Sequence, residues 1–269
     1  GRLTSVAAIG GQVGAIFAAI MAAYIIPNFG WNALFLLGII PVILTFFIRR
    51  HVHESQEFIV AHKKTIANHQ RISISRLFAT PRLALQTLGL MVMTIVQIAG
   101  YFGLMNWLPS IVQKQQGLSV SGSSIWMIAT IIGMSIGMMV FGTVMDNWGP
   151  RWAFGIFLLG SATVMFTILM VQSSIALILA GALIGFFSNG MFGGYGAVIS
   201  QLYPTAIRST ANSIIMNVGR AIGGFSSVVI GLLMDHYSLG VTMGFLSALY
   251  ILSFIVMSSL PGMRKLANH

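Results

Sequence analysis

The sequence predicts an all-α membrane protein with eight transmembrane helices, and three observations carry that prediction. Hydrophobic residues make up 57% of the 269, and mean hydropathy is +0.90. Charged residues make up only 7%, where a soluble domain carries roughly a quarter. The apolar residues also gather into runs of about 20, the length that crosses a hydrocarbon core.

The runs cover residues 5–26, 31–48, 83–109, 124–145, 153–171, 175–202, 209–234 and 239–260. The first holds the small pair Gly10/Gly14, and the second holds Pro41, a kink that a membrane helix tolerates. A polar loop at 49–82 comes next, with seven of the 14 Lys and Arg residues and four of the six histidines. The third run carries Gln97, Tyr101, Asn106 and Trp107, and the fourth carries Gly133/Gly137. The fifth begins after Gly149-Pro150, a tight turn. The sixth has Gly181/Gly185 and Gly190/Gly194 with Asn189 and Tyr195, and it ends at Tyr203-Pro204. The seventh, with Ser209 or Thr210 as its expected cap, has Arg220 and Gly219/Gly223; the eighth is apolar throughout. Small residues four apart let helix backbones approach closely, and plain packing is the reading favoured for them.

Charge orients the helices. With 49–82 in the cytoplasm, Arg2, the seven loop residues, Arg151, Arg208, Arg264 and Lys265 fall inside, and only Lys114 falls outside. Both ends of the chain are then cytoplasmic. All five tryptophans, Trp31, Trp107, Trp126, Trp148 and Trp152, are expected in the interfacial aromatic belts. The net charge of +10 is accounted for by this orientation, so no nucleic-acid partner is expected. Cysteine is absent, which excludes disulfides and Cys-based metal or redox sites. No cofactor and no metal are expected.

Arg220 is the sharpest single residue, because an arginine near the bilayer centre is costly and faces a cavity or a partner. Ser213, Asn217, Arg220 and Gly224 share one helical face. That face lines a polar cavity in one reading, with Arg220 offering its fork to a substrate carboxylate. In the other reading, Arg220 caps carbonyls of a broken neighbouring helix. Gln97, Tyr101 and Asn189 divide evenly between substrate contact and interhelical hydrogen bonding. Gln12 reads as the latter. No carboxylate falls in any run, although proton or sodium coupling usually needs one.

Three other patterns read as decoys. Gly133-Met-Ser135-Ile-Gly137 matches a nucleophile elbow, but no histidine lies in any run to act as base. Gly193-Gly194-Tyr195-Gly196 sits where one continuous helix fits better than a filter loop. His51, His53, His62 and His69 are too loosely spaced for a metal site.

Three turns carry motifs: Glu54-Ser55-Gln56-Glu57, Gly142-Thr-Val-Met-Asp146-Asn147-Trp148-Gly149-Pro150-Arg151, and Gln201-Leu-Tyr-Pro204-Thr205-Ala-Ile-Arg208. Together, in this order, they resemble the major facilitator superfamily. The second turn is similar to that family's G-x-x-x-D-R-x-G-R-R motif. The third is similar to the E-x-x-P-T-x-x-R motif of its sugar-porter and organic-ion branches. Asn147, Gln56 and Gln201 replace the family's usual Arg, Pro and Glu. The resemblance implies helices five to twelve of a twelve-helix fold, with further helices expected upstream of Gly1, where a coupling acid would lie. Residues 1–48 would then be the last two helices of an N-terminal bundle, 49–82 a cytoplasmic loop, and 83–269 a complete six-helix C-terminal bundle. It implies a cytoplasmic gate at Asp146, Arg151 and Arg208.

The expected function is secondary active transport in the cell membrane, not an enzyme activity. A small polar metabolite, an organic anion, would cross with a proton, bound by Gln97, Tyr101, Asn189, Asn217 and Arg220. The expected partners are the small-molecule substrate, protons and the lipid bilayer, and the protein is expected to be a monomer. A sugar or neutral-solute porter and a passive channel stand as alternatives.

Overall fold

A computed structural model describes residues 2–39, 42, 45–47, 50, 74–116, 120–171 and 173–265, and among these the regular structure is helical, with no strand. The chain divides into two compact units, Gly1–Ala19 with Ile74–His269, and Ile20–Ser73. The smaller unit takes the end of α1 (Arg2–Phe29) and α2 (Trp31–Leu37). Asn28 Nδ2 donates to the Tyr24 carbonyl at 2.7 Å, and Gly30, at φ 77°, turns the chain into α2. Residues 40, 41, 43, 44 and 48 of the second predicted run, and 49 and 51–73 of the loop with its four histidines, lie outside the described residues.

The larger unit contains α3 (Pro81–Gln116), α4 (Val120–Trp148), α5 (Pro150–Val164), α6 (Thr167–Met170), α7 (Ser174–Gly190) and α8 (Phe192–Leu202). It continues with α9 (Thr205–Gly224), α10 (Ser226–His236), α11 (Leu239–Ser259) and α12 (Pro261–Lys265). Among the described residues six stretches are long and apolar enough to span a membrane: Pro81–Trp107, Ile125–Trp148, Pro150–Met170, Ser174–Leu202, Thr205–His236 and Leu239–Ser259. They correspond to the last six predicted runs. The seventh ends two residues later than expected, so Asp235 and His236 close its last turn, both exposed.

Local chemistry sets the helix ends. Thr80 Oγ1 accepts from Leu83 N at 3.2 Å just ahead of Pro81, which opens α3. Gly149 at φ 84° and Pro150 make the turn between α4 and α5. Ser173 and Ser238 cap α7 and α11. The expected cap at Ser209 or Thr210 is not used. The helix begins a turn earlier, because the Pro204 carbonyl already accepts from Ile207 and Arg208 N at 3.0 Å each.

Three spans are interrupted once. Phe166 N bonds Thr163 O, Gly194 N bonds Met191 O, and Phe225 N bonds Ile222 O. Each bond reaches back three residues instead of four, and such local tightening bends a helix.

Packing follows the small residues. Facing α4 and α7 interlock: a Cβ on Gly133 would run into the Ala182 carbonyl, one on Gly137 into Phe186, and one on Gly185 into Thr130. Gly219 and Gly223 likewise seat α9 against Thr94, Ile95 and Ile98 of α3. Among the described residues, no atom lies within 4 Å of a Cβ added at Gly10 or Gly14. The core between α4, α5, α7 and α8 is aromatic, with Phe141 edge-on to Phe154 and Phe157 at 4.9 and 5.1 Å. Trp126 is a correction to the belt assignment. It is fully buried, and its Nε1 donates to the Leu177 carbonyl at 3.1 Å. Gly181 makes the room, since a Cβ there would collide with the indole. Trp148 and Trp152 are exposed, as an interfacial belt requires.

The decoys fold as packing elements. Ser135 Oγ returns its proton to the Ile131 carbonyl of its own helix at 3.0 Å. Gly193–Gly196 lie within helical α8, where the Tyr195 hydroxyl donates to the Met93 carbonyl at 3.1 Å.

Candidate functional site

Within the larger unit, α3, α7, α8 and α9 enclose a cavity of about 320 Å³, lined by Ile98, Tyr101, Phe102, Asn189, Phe192, Arg220 and Gly224. That volume suits a small metabolite. Arg220 lies 15 residues from Thr205 and 16 from His236, the two ends of its span. At 1.5 Å per residue this is about 22 Å along the helix axis from either end, close to the bilayer centre.

Arg220 is exposed, and among the described residues it makes no hydrogen bond or ion pair. Among the described residues it therefore caps no carbonyl of a neighbouring broken helix. α9 does break nearby, at Phe225, but Ser226 Oγ spends its proton on the Ala99 carbonyl of α3 at 3.0 Å. Asn106 Nδ2 and Trp107 Nε1 reach across to Ser227 Oγ and O, at 3.0 and 2.8 Å. These bonds hold the C-terminal part of α3 against the start of α10, and neither they nor the Ser226 bond involves the Arg220 guanidinium.

The remaining walls are mostly aromatic. Tyr101 and Phe102 meet edge to face at 5.6 Å, and Phe192 adds a third ring. A planar, largely apolar molecule with one anionic end would find ring faces for its body and a fork for its charge.

The structure separates the five predicted contact residues into three groups. Tyr101, Asn189 and Arg220 line one cavity. Gln97 stands behind it, 1% exposed, with Nε2 donating to the Ser188 carbonyl at 2.8 Å and to Asn189 Oδ1 at 3.0 Å. It plays the interhelical role. Asn217 is exposed on the face of Arg220 but is not part of the cavity wall. Ile98, Phe102 and Phe192 were missed by sequence reasoning. They are apolar and look like core, and only their position could have pointed to them: Ile98 and Phe102 follow Gln97 and Tyr101 directly, and Phe192 lies three residues from Asn189.

The three residues expected to form a gate lie near the helix ends that face the basic loop in the predicted topology. Asp146 is exposed in the last turn of α4, and Arg151 is half-buried at the second position of α5. Arg208, half-buried on the first turn of α9, has its Nε buried without a hydrogen-bond partner among the described residues. Beside it the corner that ends α8 is tied down: Gln86 Nε2 donates to the Leu202 carbonyl at 3.3 Å, and the Tyr203 hydroxyl meets Thr87 Oγ1 at 2.7 Å.

The comparisons agree with this architecture. A family model described as the Major Facilitator Superfamily matches residues 1–137 and 90–265. A Haemophilus influenzae protein assigned to metabolite transport is 35% identical over 260 residues, covering 94% of this chain and 63% of the relative. A Cupriavidus pinatubonensis protein assigned to 4-methylmuconolactone transport is 30% identical over 97% of this chain and 60% of its own length. The cis,cis-muconate transport protein of Acinetobacter baylyi is 26% identical over 92% of this chain and 60% of its own. The chain thus spans less than two thirds of the length of these relatives. All three are transport proteins and not enzymes.

Proposed function

The chain belongs to the Major Facilitator Superfamily, and on that premise we propose that the protein is a secondary active transporter of a small organic anion. The substrate carries a carboxylate, and it moves with protons by alternating access across the cell membrane. The observation that carries this reading is Arg220. An arginine at the centre of a span, unpartnered among the described residues and lining an aromatic-walled cavity, is positioned to pair with an anionic group. Such residues mark substrate pathways in membrane proteins. Two relatives are assigned to 4-methylmuconolactone and cis,cis-muconate, and muconate is a carboxylate.

In this reading Arg220 holds the carboxylate, Tyr101 and Asn189 complete the site, and Asn217 meets the solute on its way in. Residues 83–269 form the C-terminal six-helix bundle, 1–48 belong to the N-terminal one, and 49–82 join them in the cytoplasm. Both ends of this chain then lie on the cytoplasmic side. Asp146, Arg151 and Arg208 close the cytoplasmic gate when the bundles rock about the midplane. The protein works as a monomer in the lipid bilayer.

The test is uptake of a radiolabelled aromatic carboxylate by vesicles holding the intact protein. Saturable uptake, counterflow, and acceleration by an inward proton gradient are expected. Uptake that neither saturates nor shows counterflow would identify a passive pore. Saturable uptake indifferent to the proton gradient would remove the symport assignment.

A further inference from the structure

We propose that Asn189 selects among carboxylates by donating an amide N–H to a second hydrogen-bond acceptor on the substrate, and that Gln97 is the positioning residue that sets the polarity of that amide. The proposal rests on the reading of Arg220 given above.

A backbone carbonyl sets the orientation of both amides. Ser188 O can only accept, so the atom of Gln97 lying 2.8 Å from it is the amide nitrogen. The same nitrogen lies 3.0 Å from the Asn189 side chain. The Asn189 atom facing it must therefore accept, and it is Oδ1. With its oxygen turned toward Gln97, Asn189 has only its NH₂ group left for other partners. Flipping Gln97 would set its oxygen against the Ser188 carbonyl, and flipping Asn189 would set its NH₂ against that of Gln97, so neither amide is free to turn.

The NH₂ group is poorly used. Its contact is Met134 Sδ at 3.4 Å, and a thioether sulfur is a weak acceptor. Asn189 itself is only 3% exposed yet lines the cavity that contains Arg220. A buried donor held by so weak an acceptor gains by pairing with an oxygen or nitrogen brought in by a ligand. Of the remaining walls, Tyr101 adds one hydroxyl, while Ile98, Phe102, Phe192 and Gly224 offer no side-chain polar group. The site thus reads two features: a carboxylate at Arg220, and an acceptor that meets Asn189. The chemical class is a carboxylate bearing a carbonyl, ring nitrogen, ring oxygen or second carboxylate, in preference to one whose far end is hydrocarbon.

The experiment compares probes of equal charge and nearly equal shape. Benzoate, pyridine-3-carboxylate and pyridine-4-carboxylate differ by one acceptor nitrogen in place of a C–H. Binding to the intact purified protein at neutral pH is measured by competition. The better pyridine acid is expected to bind about tenfold tighter than benzoate, the worth of one well-made hydrogen bond. In Asn189→Leu and in Gln97→Leu that ratio falls to about one while benzoate still binds. A merely structural role would move all three probes together. Asn189→Ala removes the donor without adding bulk or charge, so it must lower the ratio even if Asn189→Leu fails to fold. A ratio near one in the unsubstituted protein, or one unchanged by every substitution, overturns the role of Asn189 and leaves Arg220 untouched. Binding of none of the three by the unsubstituted protein overturns the carboxylate reading itself, and this proposal with it.

Discussion

The Tyr203 hydroxyl donates to Thr87 Oγ1, and two carbonyls determine that direction. The oxygens lie 2.7 Å apart. Thr87 Oγ1 also lies 3.0 Å from the Leu77 carbonyl and 2.9 Å from the Leu83 carbonyl. Carbonyls only accept, so the single Thr87 proton turns toward them and the phenol must supply the other. One threonine thereby joins the end of the basic loop, the start of α3 and the α8–α9 corner. Tyr203→Phe removes one bond and costs about 1 kcal/mol, whereas Thr87→Val strands a buried phenol and the Leu77 carbonyl and costs about 1–3 kcal/mol. Thermal unfolding in detergent should rank Thr87→Val below Tyr203→Phe, and the reverse order would undo the assignment of donor and acceptor.

The same bond carries a pH dependence. Burial raises the Tyr203 pKa above the usual 10.0. The raised value means the neutral phenol is favoured in the folded protein. Its contribution is therefore complete below pH 10.0 and is lost as pH rises through the folded-state value. The stability difference between the unsubstituted protein and Tyr203→Phe should be flat from pH 7 to about 9 and shrink above about 10. A difference that shrinks on acidification would contradict this.

Close helix contact gives a third expectation. A Cβ on Gly137 would run into the Phe186 carbonyl, a backbone atom that cannot step aside alone. Gly137→Ala should destabilise by about 1–3 kcal/mol, as overpacking does. At Gly155 the nearest atoms to a Cβ are Met257 Cε and Phe254 Cε2, both at 3.7 Å, an ordinary contact. Gly155→Ala should be neutral or stabilising, by up to about 1 kcal/mol from helix propensity. Equal melting temperatures for the two variants would sink the role of close packing at Gly137.

Arg220 is tested by substrate binding to well-folded variants. Lysine keeps the charge and loses the bidentate fork, so Arg220→Lys should weaken binding and leave some transport. Arg220→Ala should lose about 2–5 kcal/mol, at least a thirtyfold loss of affinity. A monodisperse Arg220→Ala protein with unchanged affinity would remove the residue from the site.

Orientation is checked with single cysteines in this cysteine-free sequence. An impermeant maleimide added outside intact cells should label Ser173→Cys, at the exposed start of α7, and spare Ser55→Cys. The opposite pattern would invert the topology.

Composition and period are the parts of this protein that its sequence determined alone. Runs of apolar residues must become helices in a bilayer, because every backbone polar group there needs an internal partner. The last six runs therefore became the six spans, and the turn at Gly149-Pro150 fell where glycine supplies a positive φ and proline opens the next helix. The depth of Arg220 was legible for the same reason: rise per residue converts position into height. Tertiary structure decided which neighbours each side chain meets. Trp126 looked interfacial and proved buried, because Gly181 on another helix left a space for its ring. Gln97 and Asn189 looked equivalent as lone amides in hydrocarbon, yet one closes against a backbone carbonyl and the other opens onto a cavity. Helix periodicity specifies a face, but partners on that face come from residues 92 positions away along the chain. Only packing brings them within the roughly 3 Å at which a hydrogen bond chooses donor from acceptor.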